Sequence, residues 1–118
     1  MLTLNHKKLD VWQIAMKFVT AIYKVTNKFT KEELYGLTNQ IRRAAVSIAS
    51  NIAEGSARSS SADRKRFYEI SRSSLVEVDT QLEIAQNLKY IAKDSINELE
   101  PYLEEIFAKI SNLIKSIK

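Results

Sequence analysis

All six arginines of this chain fall between positions 42 and 72: Arg42, Arg43, Arg58, Arg64, Arg66 and Arg72, joined there by Lys65. Three acids, Glu54, Asp63 and Glu69, share that stretch, whereas Ser73 to Phe107 holds eight acids and only two lysines. Arginine matters here because a planar guanidinium donates parallel hydrogen bonds to a carboxylate or a phosphate and sheds water more readily than an ammonium. Two chemistries follow. In one, the arginines near helix junctions pair with carboxylates, within the chain or on a partner surface, and the protein is a protein-binding scaffold. In the other, Arg58, Arg64, Lys65 and Arg66 join the free amides and cap serines of the following helix in a phosphate-binding edge, with Arg42, Arg43 and Arg72 adding positive charge. A net charge of +4 and a pI near 9.3 suit nucleic acid without requiring it.

Catalytic chemistry finds less support. The absence of cysteine removes thiol nucleophiles and cysteine-ligated metals, and His6 is the only histidine, so the paired Glu-x-x-His units of a di-metal bundle site cannot be assembled. Glu54 beside Gly55 has no matched nucleophile, and with two glycines in the chain there is no phosphate-cradling or dinucleotide-binding loop. The reading is a protein that is not an enzyme and uses no cofactor or metal.

Behind these residues stands a chain of 118 residues, 45% hydrophobic and 27% charged, suited to a single domain over 1–118 that buries roughly two thirds of its unfolded surface. No apolar run approaches the roughly 20 residues that span a bilayer, which argues against a membrane partner. The opening MLTLNHKKLD lacks the apolar core of a signal peptide, which points to the cytoplasm.

Two glycines and one proline are too little turn chemistry for many short strands, so the fold class is all-α. The first helix reads from about Leu9 to Lys28 and carries two stripes, one of Val11, Ile14, Phe18, Ala21 and Val25, the other of Trp12, Ala15, Val19 and Ile22. Thr30 with Glu33 resembles a capping box, which starts a second helix near Lys31 with Leu34, Leu37, Ile41, Ala44 and Ile48 inward and a stop at Gly55. Ser60 or Ser61 caps a third helix, the longest, running to about Ala92 with Leu75, Val78, Leu82 and Ala85 on one side. Asp94 or Ser95 caps a fourth, in which Ile96, Leu99, Leu103, Ile106, Ile110, Leu113 and Ile117 form the seam of bundle packing. Pro101 either bends that helix, the favoured reading, or stands at its first position. Short connections make the whole an antiparallel up-down-up-down four-helix bundle.

Within the second helix, Ala45, Ala49 and Ala53 recur every four residues and line one face, where another backbone can come close. Asn51 falls on the inward side, where its amide needs partners and can fix register. The double stripe of the first helix exceeds what one neighbour covers, and Phe107 and Ile114 widen the seam of the fourth. Val11, Ile14, Phe18, Phe107 and Ile114 are therefore the expected contacts of a homo-oligomer, the alternative being a generous core within the single chain.

The motifs LDVWQIA (Leu9 to Ala15), IYKVTNKF (Ile22 to Phe29), YGLTNQIRRAAVSIASNIAEGSAR (Tyr35 to Arg58) and RFYEISRSSLVEVDTQLEIA (Arg66 to Ala85) resemble a known family. It comprises the bacterial four-helix-bundle proteins encoded in intervening sequences of 23S ribosomal RNA genes. The resemblance covers about Leu9 to Ile91. The family usually has proline where this chain has Thr30 and Ala49, and an ARGS-like run where it has SRSS. The resemblance implies an antiparallel bundle assembled into a ring, typically a homopentamer, with no established enzymatic activity. The family is also similar to the accessory proteins of diversity-generating retroelements, basic bundle rings that engage a reverse transcriptase and its RNA. The expected partners are thus further copies of the chain, RNA, and a nucleic-acid-processing protein.

Overall fold

The computed structural model describes residues 1–118 and contains four long helices and no strand. They are α1 (Asp10–Thr26), α2 (Leu37–Ala57), α3 (Ser61–Asn87) and α4 (Lys93–Ser116), with single turns of 3₁₀ helix at Asn5–Lys8 and Lys31–Glu33. At 27 residues α3 is about 40 Å long, which sets the 43 Å long dimension of the molecule. No helix is long and apolar enough to cross a membrane.

The helices form where apolar periodicity places them, and their ends show what periodicity leaves open. Thr30 makes no cap. Glu33 instead reaches forward to accept the Leu37 amide at 3.1 Å, so the segment from Lys31 is a short turn and α2 begins only after Gly36. Leu34, expected inward, is exposed as a result. At the start of α3 the Ser60 hydroxyl accepts the Asp63 amide at 3.1 Å, satisfying one of the amides that every helix start leaves free. That helix ends at Asn87 rather than Ala92. The Tyr90 and Lys89 amides fold back to the carbonyls of Ala85 and Gln86 at 2.9 and 3.0 Å, and Lys89 takes a left-handed conformation, φ 62°. This is the Schellman closure, made here without glycine. Pro101 lies inside α4, which is helical from Lys93 onward, so it is not the first residue of that helix.

One continuous core runs through the bundle. Ile22, Ile41, Ile48, Ile52, Val78, Leu99, Ile106 and Ile110 are fully enclosed. The double stripe of α1 is consumed there. Packed against both α2 and α4, α1 must present a wide apolar arc, and Val11, Phe18 and Ile22 are buried while Trp12, Ile14 and Val19 lean on the same core.

The most intimate contact joins α2 and α3. Ala45 and Ala49 are buried and Ala53 is half-buried. The Ser71 hydroxyl crosses to donate to the Ile48 carbonyl at 2.7 Å, and Ser47 and Ser74 share a hydrogen bond at 2.9 Å. Gly55 does not end α2, which continues to Ala57. It lies where an added Cβ would stand 2.7 Å from the Tyr68 ring, so the absence of a side chain admits that ring. Asn51 does not reach across the interface. Its amide donates within α2 to the Ser47 carbonyl and hydroxyl at 2.8 and 2.9 Å, and so steadies Ser47 for Ser74.

Candidate nucleic-acid interface

The basic residues singled out in the sequence do not form one edge. Arg43 near the start of α2 and Arg58 just past its end are separated by about 20 Å along the helix axis, and each group has its own neighbours.

Arg42 is a tie between α1 and α2. Half-buried, its guanidinium donates to Thr26 Oγ1 at 2.9 Å and Asn27 Oδ1 at 3.1 Å and lies 4.6 Å from the centre of the Tyr23 ring. Arg72 is likewise half-buried. It donates to Ser111 Oγ at 3.1 Å and lies 5.9 Å from the Phe107 ring, linking α3 to α4. Each of these guanidinium groups spends donors inside the molecule, which sets Arg42 and Arg72 apart from the more exposed cations. Arg43, one residue on, is exposed and unpaired.

The α2–α3 junction brings together Arg58, Arg64, Lys65 and Arg66. Two of them, Arg58 and Arg66, meet at Phe67, which the run of charges in the sequence conceals. Arg58 and Arg66 stack on its ring at 4.7 and 4.8 Å, a favourable arrangement because the ring face is electron-rich. An aromatic residue interleaved in a basic run was the available signal. Arg58 also pairs with Glu54 at 2.7 Å, and Arg66 approaches Asp63 at 4.0 Å, but all four side chains are substantially exposed, so these pairs hold the cations only weakly. Arg64 and Lys65 make no ion pair. The first turn of α3 contributes less than expected. Ser60 already caps it and Asp63 places a negative charge there, so the side chains rather than the amides dominate the local field.

The expected subunit contacts fare unevenly. Val11, Phe18 and Ile114 are buried in the core of the single chain, where they cannot meet a neighbour, and Ile14 is half-buried against that core. Their periodicity was correct, but it marked the arc α1 and α4 need internally. Phe107 alone of the five is exposed, at 46%. Large apolar side chains elsewhere at the surface include Met16, Val46, Val76, Ile84 and Leu88. No three His, Asp or Glu side chains converge in a way that could hold a metal ion.

A family model described as 23S rRNA-intervening sequence protein matches residues 7–112. No curated protein matches the chain. Among solved structures, the chain is similar to a crystallised protein of unknown function from the S23 ribosomal protein family of Bacteroides thetaiotaomicron. The TM-score is 0.82 at 22% identity, covering 90% of this chain and 99% of that one, a likeness of fold. The family match extends from the 3₁₀ turn before α1 nearly to the end of α4 and takes in the α2–α3 junction with its arginines. This chain belongs to the 23S rRNA-intervening sequence protein family.

Proposed function

We propose that the protein is a non-enzymatic, self-associating helical bundle that binds RNA, or a complex containing RNA, through Arg58, Arg64, Lys65 and Arg66 around Phe67. The observation that carries this reading is the Arg58–Phe67–Arg66 stack beside two unpaired cations. Guanidinium groups that can reach phosphates, set about an aromatic face, are the combination by which proteins grip single-stranded nucleic acid without reading its sequence. The lack of any nucleophile, base and donor set in the residue inventory supports a role without catalysis.

The same reading includes an antiparallel, up-down-up-down arrangement. It is supported by the order of paired residues: Ser47 with Ser74 and Gly55 with Tyr68 between α2 and α3, Asp10 with Lys109 and Phe18 with Tyr102 between α1 and α4. In each pair of helices one partner's numbers rise as the other's fall. Closure into a ring is supported by the apolar side chains left at the surface, among them Met16, Val46, Ile84 and Leu88.

The test is to purify the protein without nuclease, measure its mass by light scattering, and titrate RNA over a range of salt. The variant Arg58→Gln/Arg64→Gln/Arg66→Gln should keep the oligomer mass while the slope of log affinity against log salt flattens by about 0.7 to 0.9 per lost phosphate contact. An intact oligomer with an unchanged slope would overturn the reading. Dissociation of the oligomer would instead assign the arginines to subunit contacts and make the protein a scaffold.

A further inference from the structure

On the other flank of α3, against α4, runs a groove that the RNA reading does not use. Two adjoining cavities, of about 390 and 180 Å³, share Asp79 and Leu103 and continue one another along the helix pair. The floor is apolar: Leu75, Val76, Leu103 and Phe107 in the larger part, Leu82 and Leu99 in the smaller. Val76 and Phe107 are 51% and 46% exposed, although each is large enough to gain from cover. From Ile96 to Phe107 the groove follows α4 for about 16 Å, or three turns.

Every charged residue on its rim is acidic, and Gln86 is the one neutral polar residue there. Asp79 and Glu83 stand on α3, Glu100 and Glu104 on α4, and no lysine or arginine lines either cavity. None of the four carboxylates forms an ion pair or a side-chain hydrogen bond. This is unusual in a chain of net charge +4, which has cations to spare and places them elsewhere. Beyond the Phe107 end, Arg72 is held by Ser111 and lies 5.9 Å from the ring, and it makes no ion pair with the rim.

We propose that this groove receives one amphipathic helix of a partner protein, about three turns long, with an apolar stripe flanked by lysine or arginine. An apolar trough of helix length favours a helix laid into it by residues spaced three and four apart. Four unpaired carboxylates select a basic flank, and would repel both nucleic acid and an acidic segment. The inference goes beyond the RNA reading and stands on different residues.

A fluorescently labelled 14-residue peptide with leucines on one helical face and lysines beside them serves as the probe, titrated against the full chain by anisotropy. Two control peptides accompany it: the same composition scrambled so that the leucines share no face, and the patterned peptide with glutamate for lysine. The patterned basic peptide should bind about tenfold or more tightly than either control. Asp79→Asn/Glu83→Gln/Glu100→Gln/Glu104→Gln should lower its affinity about tenfold and flatten its salt dependence. Val76→Ser should weaken binding with the salt dependence unchanged. Equal binding of the scrambled peptide, or indifference to the quadruple variant, would overturn the proposal. So would a fall in oligomer mass with Val76→Ser or Phe107→Ser while no peptide binds, since the groove would then be a contact between copies of this chain. The RNA slope of Arg58→Gln/Arg64→Gln/Arg66→Gln is read separately, so either reading can fail alone.

Discussion

The Ser71 hydroxyl on α3 donates a hydrogen bond of 2.7 Å to the backbone carbonyl of Ile48 on α2. A serine side chain reaches only one bond beyond its Cβ, so this contact exists only because the two backbones run close together. Both residues are fully enclosed. Ser71→Ala should therefore cost about 0.5 to 1.5 kcal/mol, the net worth of one such bond, and Ser71→Leu about 1 to 3 kcal/mol by overpacking. Urea denaturation of both variants checks the order. Equal effects would mean that the helices can separate to admit a larger side chain.

A second close approach lies about two turns further along α2, at Gly55. Alanine is the better helix former by about 1 kcal/mol, and on propensity alone Gly55→Ala should stabilise α2. The added methyl, however, would stand 2.7 Å from the Tyr68 ring, whose hydroxyl is held by Ser56 at 3.0 Å. The ring is buried and cannot simply swing away. The net expectation is a loss of about 1 kcal/mol or more, with Tyr68→Ala in the same chain removing the clash and part of the penalty. A stabilised Gly55→Ala would show that Tyr68 moves freely.

These two contacts indicate what the sequence can and cannot convey. The repeat of Ala45, Ala49 and Ala53 announces a close approach on α2, and the periodic leucines and isoleucines place all four helices. The partner of that close approach is not announced, because serine is as common at a surface as in a close helix contact and Ser71 and Ser74 carry no apolar signal. Gly55 does not mark the end of α2 because glycine is ambiguous: here it serves packing against Tyr68, where a helix stop is the commoner use. The double stripe of α1 looked like surplus only because a helix with two neighbours inside one chain needs the same pattern as one that meets another subunit. At the candidate site the arginines were visible as a group in sequence, but helix length scatters them, and the aromatic residue that gathers Arg58 and Arg66 carries no charge to draw attention.

The end of α3 was hidden for the opposite reason, since Lys89 occupies a position where glycine is the usual signal. Its φ of 62° costs a residue with a Cβ about 1 to 2 kcal/mol. Lys89→Gly should raise stability by about 0.5 to 1 kcal/mol, less than the whole strain because glycine also gains freedom in the unfolded chain. Lys89→Ala should change little, which separates relief of the backbone from loss of the charge. Thermal melts suffice, and a Lys89→Ala gain equal to that of glycine would reassign the effect to charge.

Beside that turn, the Tyr90 hydroxyl donates to Glu33 at 3.0 Å, tying the α3–α4 connection to the turn before α2. The hydrogen bond to Glu33, then burial, then the negative charges of Glu33 and Glu32 raise the Tyr90 pKa above the ordinary tyrosine value. The folded chain thus holds this proton more tightly than the unfolded chain. The stabilisation is complete below about pH 10, the unfolded value, and is lost as pH rises through the folded value. Lys109, raised chiefly by its hydrogen bond to Asp10, loses its contribution in the same direction. As pH rises above about 10, stability should fall less steeply in Tyr90→Phe than in the wild type, the difference isolating Tyr90 from Lys109. Identical slopes would mean that the contact does not persist in solution.

Arg42 and Arg43, adjacent in sequence, should behave as different kinds of residue. Arg42 is half-buried, bonded to Thr26 and Asn27 and stacked on Tyr23, so Arg42→Gln removes two hydrogen bonds from a charged donor and a cation–π contact. Thr26 keeps its own bond to the Ile22 carbonyl at 2.7 Å, which limits the damage. A loss of about 1 to 2 kcal/mol is expected, with no specific change in the salt dependence of RNA binding. Arg43 is exposed and unpaired, so Arg43→Gln should stay within about 0.5 kcal/mol of the wild type. If RNA bound at the α2–α3 junction extends along α2 to reach it, the salt slope should flatten by about 0.7 to 0.9. Denaturation and RNA titration on the same two preparations decide the matter. A stability loss confined to Arg42 would make it a tie between α1 and α2, whereas a flattened slope in Arg42→Gln with stability intact would return that arginine to the binding surface.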